Sequence, residues 1–376
     1  MSLWQQWLTD EAIRRDAAGL TRRLRPRGAD DDVIDLAGND YLGLSRHPEV
    51  VAAAAEAVTT WGAGAGASRL VTGTLALHET LEQELAAFLG QPAALVMSTG
   101  YHANLAAVTA LADRDSLIVS DAHIHASLID AARLSRAQIA VTPHLDVEAV
   151  AAALADAGGR RAIVLAESIY SVLGDAAPLT ELASVCADHD ALLIVDEAHG
   201  LGVAGDVGEG LVRSHGLAAC PHVVVTATLS KSLGAQGGAV LGSPALVHHL
   251  VNRARPFIFD TALNPAATAG ALAALRVLRS QPELHSRIAS RIAGLADLLD
   301  VTPPAGAVLS VPMPSPQVAI AAQAECLEQG VRVGCFRPPS VPDGISRLRI
   351  TTNAGVPAED WTRASEVLAK VVEAHR

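Results

Sequence analysis

The sequence predicts an α/β protein, with a mostly parallel central sheet covered by helices on both faces and a smaller C-terminal α+β domain. Three observations carry this. Short, continuously apolar runs recur between residues 93 and 241, and helical stretches lie between several of them. Beyond residue 303, Pro-rich punctuation marks off a last third of different texture. The chain has 376 residues, enough for two or three domains. The expected division is a polar N-terminal helical arm over 1–40, a large α/β domain over 41–265, and a linking helix with the C-terminal domain over 266–376.

The arm carries Arg14, Arg15, Arg22, Arg23, Arg25 and Arg27 around the single acid Asp16. It reads as a solvated helix face and loop, or as an anion-facing arm. Pro48–Trp61 reads as a helix stopped by Gly62, and a second helix starts after Thr74. There Leu77, Leu81, Leu85 and Phe88 keep helical spacing until Gly90. The strands are expected at Ala93–Met97, Leu117–Val119, Ala162–Ala166, Leu192–Val195, Val223–Thr226 and Ala239–Leu241. Ala103–Leu111, Ser127–Leu134 and Leu179–Ala187 read as helices among them. A long alanine-rich helix follows Asn264-Pro265 towards Arg279, and further strands are expected at Ala307–Val311 and Leu348–Thr351.

Composition narrows the function classes. Half the residues are hydrophobic and mean hydropathy is +0.29, yet no run reaches the ~18 apolar residues of a membrane span. The N-terminus shows no secretory leader pattern, and the four cysteines form no CxxC pair, so a cytoplasmic protein with reduced thiols is expected. A net charge of −12 argues against a general nucleic-acid binder. Of 28 basic residues only two are lysines, Lys231 and Lys370. Arginine stays protonated, so any amine chemistry has two candidates. Lys370 sits in an amphipathic terminal pattern with its side chain solvated.

In a parallel sheet, ligands bind beyond the carboxyl ends of the strands, so the residues just after each apolar run matter most. Gly62–Ala67 matches a dinucleotide fingerprint, but it follows a helix rather than a strand, which excludes that reading. Asp196-Glu197-Ala198-His199 matches a helicase box letter for letter. No phosphate loop precedes it, so what remains is a carboxylate and an imidazole past a buried strand. Thr226-Ala227-Thr228-Leu229-Ser230-Lys231 sets a lysine among hydroxyls, followed by Gly234, Gly237 and Gly238. Ser98–Asn104 lies at a strand-to-helix turn, where free amides suit an anion. His123-Ile124-His125 lacks a third metal ligand, so no metal is expected; a stacking imidazole or a capped turn fits better. Phosphate amides, a stacking imidazole, Asp-x-x-His and a lysine together meet the requirements of pyridoxal phosphate.

Several ordered motifs then carry a family resemblance over nearly the whole chain: Asn39–Leu44, Gly64–Gly73 with His78, Ser98–Asn104, His125–Ser127, Asp196–Gly202, Thr226–Gly238, Arg337–Pro342 and Arg347–Arg349. The chain resembles the α-oxoamine synthases, fold-type I pyridoxal-phosphate enzymes. The resemblance implies that Lys231 holds the cofactor aldehyde and later moves protons. It also implies that Asp196 pairs with the pyridine nitrogen, His199 meets the ring hydroxyl, His125 stacks on the ring, and Ser171 lies near the ring oxygen. Gly100 and Tyr101 would bind the phosphate through their amides and Thr228 through its hydroxyl. Thr261 would reach a neighbouring subunit's phosphate in a homodimer with interfacial sites. Asn39 and Arg349 are implied for the amino acid, with His125 also facing substrate, and Arg337 and Ser340 for the acyl group. An N-terminal substrate arginine falls on Thr21 or Arg22, and Arg22 is taken. The sequence departs from the family at Val172-Leu173-Gly174-Asp175.

The implied reaction is decarboxylative condensation of L-alanine with a pimeloyl thioester, on coenzyme A or an acyl carrier protein. Glycine C-acetyltransferase, 5-aminolevulinate synthase and a non-catalytic partner subunit remain as alternatives. The last of these would lack the lysine. No nucleic-acid or membrane partner is expected.

Overall fold

The computed structural model describes every residue except Gly19, Arg23, Pro339, Ser340 and Pro342. Ser340, expected at the acyl group, therefore lies outside the described residues. Contacts divide the chain into two units, Met1–Val33 and Ile34–Arg376. In the first, a helix spans Leu3–Ala17. Ser2 accepts from Gln5 N and the Gln5 side chain accepts from Ser2 N, a reciprocal cap. None of the helix's side chains is buried.

The second unit holds two sheets. The larger contains β2 (Ala93–Met97), β3 (Ser116–Asp121), β4 (Gln138–Thr142), β5 (Arg161–Glu167), β6 (Leu192–Asp196), β7 (Val223–Thr228) and β8 (Gly238–Gly242). Their order is β2-β8-β7-β6-β5-β3-β4, and β8 alone runs against the rest. The central strands are apolar on both faces because helices cover both. Val164, Leu193 and Val225 pack into one core, Ile163, Ile194 and Val224 into the other. Register sets Glu167 beside Asp196 and Asp196 beside Thr226. Three polar side chains thus reach the same edge of the sheet, at the carboxyl ends where parallel sheets bind ligands.

The smaller sheet has the order β1-β10-β11-β9, with β1 at Ile34–Leu36, β9 at Val308–Pro312, β10 at Val331–Phe336 and β11 at Arg347–Thr351. β1 lies within the stretch read as an N-terminal arm, yet it pairs in parallel with β10. Three residues are too few to show a strand period. The expected strands all form. β4 and β10 are additions; β4 is a largely exposed edge strand, although it carries the apolar run 139–141. The helix expected at Ala103 begins at Gly100, because the Thr99 hydroxyl accepts from His102 N and caps it there. That shift puts Gly100 and Tyr101 in the first turn. Among the described residues no helix is long and apolar enough to cross a membrane.

Candidate active site

Asp196 closes β6, and its carboxylate is held from two sides. Oδ1 accepts from Ala198 N at 2.9 Å, and Oδ2 accepts from Asn104 Nδ2 at 2.7 Å. Asn104 Nδ2 also donates to Ser127 Oγ at 2.8 Å, and its Oδ1 accepts from Thr226 Oγ1 at 2.6 Å. Both ends of the amide are used, so the Asn104 side chain can sit only one way round. The carboxylate is consequently fixed in direction.

Lys231 follows β7, and its Nζ lies 2.7 Å from His199 Nε2. Burial lowers the lysine to about 8, against the opposing pull of Asp196 and Glu167. An amine with such a pKa is partly neutral near physiological pH and can act as a nucleophile or proton carrier. Burial also takes His199 well below the usual histidine range, and the positive charges of Lys231 and Arg349 push the same way. His125 caps the helix Ala126–Ser135. Its Nδ1 accepts from Ser127 N at 3.2 Å and lies 2.7 Å from Ser127 Oγ. These groups line one cleft with an empty volume of about 660 Å³.

The far wall of the cleft suits an anion. Gly100 and Tyr101 sit at a helix start, where first-turn amides have no partner within the helix. Thr228 Oγ1 lies 2.7 Å from Ser230 Oγ beside them. A Cβ on Gly100 would stand 2.9 Å from the Thr228 Cβ, so the close approach of these two segments requires glycine. The Tyr101 hydroxyl donates to Asp130.

Arg349, on β11, brings the smaller sheet to the same place. Its Nε donates to Ser171 O at 2.8 Å, and Nη1 and Nη2 each donate to Asn39 Oδ1 at 3.3 Å. Tyr41 Oη lies 3.0 Å from Asn39 Oδ1 and 2.7 Å from His199 Nδ1, which joins this group to Lys231. The structure therefore gathers Lys231, Asp196, His199, His125, Gly100, Tyr101, Thr228, Asn39, Ser171 and Arg349. It does not place Thr261 or Arg337 in the lining of that cleft. Thr261 is exposed and does not line the cleft. Arg337 is half-buried and hydrogen-bonded to Cys335. Arg22 belongs to the N-terminal unit, where it is exposed.

Three contributors escaped the sequence reading. Asn104 and Tyr41 lay inside motifs already singled out, and helical spacing from Gly100 to Asn104 was the available signal. Glu167 ends an apolar run just as Asp196 does, so the same rule applied to β5 would have found it. Burial, then Asp196, pushes Glu167 up to about 8, and its Oε1 is buried without a hydrogen-bond partner.

The family model described as aminotransferase class I and II matches residues 31–368. The chain is 54% identical over 371 residues to 8-amino-7-oxononanoate synthase of Mycolicibacterium smegmatis, covering 98% of this chain and 97% of that one. It is 53% identical over 369 residues to the synthase of the same name from Mycobacterium leprae, covering 97% and 95%. Among solved structures, Sphingomonas wittichii serine palmitoyltransferase aligns with a TM-score of 0.91 at 29% identity, over 100% of this chain and 99% of that one. The Francisella tularensis 8-amino-7-oxononanoate synthase aligns with a TM-score of 0.77 at 27% identity, over 92% and 99%.

Proposed function

This chain belongs to the aminotransferase class I and II family, and we propose that within it the protein condenses L-alanine with a pimeloyl thioester, as an 8-amino-7-oxononanoate synthase of biotin biosynthesis. The observation that carries the chemistry is a half-buried lysine amine, one of two in the chain, held against His199 in a cleft walled by a locked carboxylate. The residues fit pyridoxal phosphate. Gly100 lets the helix start pack tightly against Thr228, so first-turn amides and a hydroxyl line the same cleft as an acid, an imidazole and an amine.

When bound, pyridoxal phosphate supplies an aldehyde for the amine and a conjugated ring that accepts the electron pair released at the substrate α-carbon. In this reading the amides of Gly100 and Tyr101 and the Thr228 hydroxyl hold the phosphate. Asp196 would pair with the pyridine nitrogen, His199 would meet the ring hydroxyl with Ser171 near it, and His125 would stack on the ring. Lys231 removes the α-hydrogen at Nζ and later gives a proton back, which its lowered pKa suits. Arg349 and Asn39 bind the amino-acid carboxylate. Alanine and the thioester become 8-amino-7-oxononanoate, carbon dioxide and free thiol. Arg22, Arg337 and Ser340 would meet the acyl substrate, on coenzyme A or a carrier protein. Thr261 would reach a partner's phosphate in a cytoplasmic homodimer.

The test is an absorption spectrum of the purified protein before and after borohydride, with peptide mapping, followed by pairing alanine and glycine with acetyl, succinyl and pimeloyl thioesters. A reduced adduct on Lys231 and turnover with alanine and the pimeloyl thioester are expected. A colourless protein that refuses the cofactor would overturn the chemistry, and turnover with glycine alone would overturn the substrate.

A further inference from the structure

One chain of hydrogen bonds crosses the site. It runs from Arg349 to Asn39 Oδ1, to Tyr41 Oη, to His199 and ends at Lys231 Nζ. Tyr41 is 1% exposed, and His199 is 4% exposed. We propose that Tyr41 is a positioning residue that fixes the tautomer of His199, with the proton on Nδ1 and the Nε2 lone pair aimed at Lys231. This rests on Lys231 being the working amine of the proposed function.

Proton bookkeeping from the arginine end leads to that assignment. A guanidinium only donates, so the atom of Asn39 that faces Arg349 must be the amide oxygen. That oxygen carries no hydrogen. The 3.0 Å contact between it and Tyr41 Oη needs a proton between two oxygens, and only the tyrosine has one. With its hydrogen committed to Asn39, Tyr41 meets His199 as an acceptor at 2.7 Å. The proton in that contact belongs to His199 Nδ1.

The lysine end reaches the same tautomer independently. In its ammonium form, which prevails below about pH 8, Lys231 Nζ at 2.7 Å from Nε2 must find a lone pair there, because two donors cannot share that distance. Burial, together with the charges of Lys231, Arg349 and His125, keeps His199 neutral, so one ring nitrogen is free to accept. The other charged groups acting on Lys231 are Asp196 and Glu167, which favour the ammonium, and Arg349, which opposes it. Tyr41 thus acts on Lys231 only through the imidazole, by keeping an acceptor in front of it.

The experiment uses the full-length chain prepared without cofactor and labelled with ¹⁵N in histidine and at lysine Nζ. Long-range ¹H–¹⁵N spectra report which nitrogen of His199 is protonated, with His199→Gln assigning the signal. The chain has two lysines, so Lys231 titrates in view beside Lys370 as internal reference. Protonation of Nδ1 is expected in the wild-type protein. Tyr41→Phe should populate the other tautomer and lower the Lys231 midpoint by about one pH unit, a tenfold shift towards neutral amine. Protonation of Nε2 in the wild type would overturn the proposal, as would a Tyr41→Phe titration that superimposes on the wild type. Should that variant not fold, the wild-type tautomer alone decides. Borohydride trapping tests the proposed function separately, so the two can fail independently.

Discussion

Asn104 Nδ2 lies 2.7 Å from Asp196 Oδ2 and 2.8 Å from Ser127 Oγ, so a single amide orients the site's acid and braces the hydroxyl that holds His125. Asn104→Ala would leave Thr226 Oγ1 without its acceptor and remove one of the two donors on the carboxylate. A buried polar group left unmatched costs about 1–3 kcal/mol. A lowered melting temperature is expected, together with weaker pyridoxal-phosphate affinity measured by fluorescence titration. Unchanged affinity would mean that Asp196 needs no such brace.

The large sheet was legible because its central strands are buried on both faces and read as unbroken apolar runs. Residues such as Asp196 and Lys231 stood out as polar groups immediately beyond them. What escaped has more than one physical cause. β1 and β4 pair at edges or over few residues, so no period betrays them. Asn104 and Tyr41 act through other side chains, and Arg349 meets Asn39 across 310 positions of sequence. The Arg349–Asn39 pairing is a property of the fold with no trace in local pattern, whereas helical spacing marks Asn104 and the end of an apolar run marks Glu167. Arg349 was found through family likeness, and its bond to the Ser171 carbonyl was not anticipated at all.

His144 bridges Asp121 at 2.9 Å and Asp175 at 2.8 Å, and stacks on His123 with ring centroids 3.8 Å apart. Burial opposes its charge, yet hydrogen bonds to Asp121 and Asp175 raise it to about 9. A histidine raised in the folded state stabilises fully below its unfolded value near 6.5, and that contribution is lost as pH rises through about 9. His144→Asn should therefore lower the melting temperature most at pH 6 and least at pH 9.5. The difference at low pH is expected to be roughly 2 kcal/mol. A pH-independent difference would show that His144 is not charged in the fold.

Gly174 sits in the stretch where the sequence departs from its family, with φ at +79°. A Cβ there would stand 2.3 Å from Val308 O and 2.8 Å from the Pro304 side chain. Gly174→Ala must therefore move the backbone, and with it the turn carrying Ser171, whose carbonyl holds Arg349 Nε. We expect destabilisation of more than about 1 kcal/mol and a KM for the amino acid raised more than kcat is lowered. Thermal melts and steady-state kinetics read the two effects. A loss confined to stability would separate the turn from substrate binding.

Glu167 ends β5 beside Asp196. Burial, then the Asp196 charge, raises it to about 8, so at neutral pH it is mostly protonated and uncharged. A carboxyl raised in this way favours the folded state below its unfolded value near 4.5, and the advantage is lost as pH rises through about 8. Glutamine copies the neutral form and does not titrate. Glu167→Gln is accordingly expected to melt close to wild type at pH 4.5 and above it at pH 9.5, in protein prepared without cofactor. The gap should widen from about pH 4.5 to about 8, where the unfolded chain ionises Glu167 while the fold keeps it protonated beside Asp196. A variant less stable at both pH values would show that Glu167 is ionised in the fold and that the Lys231 ammonium outweighs the repulsion from Asp196.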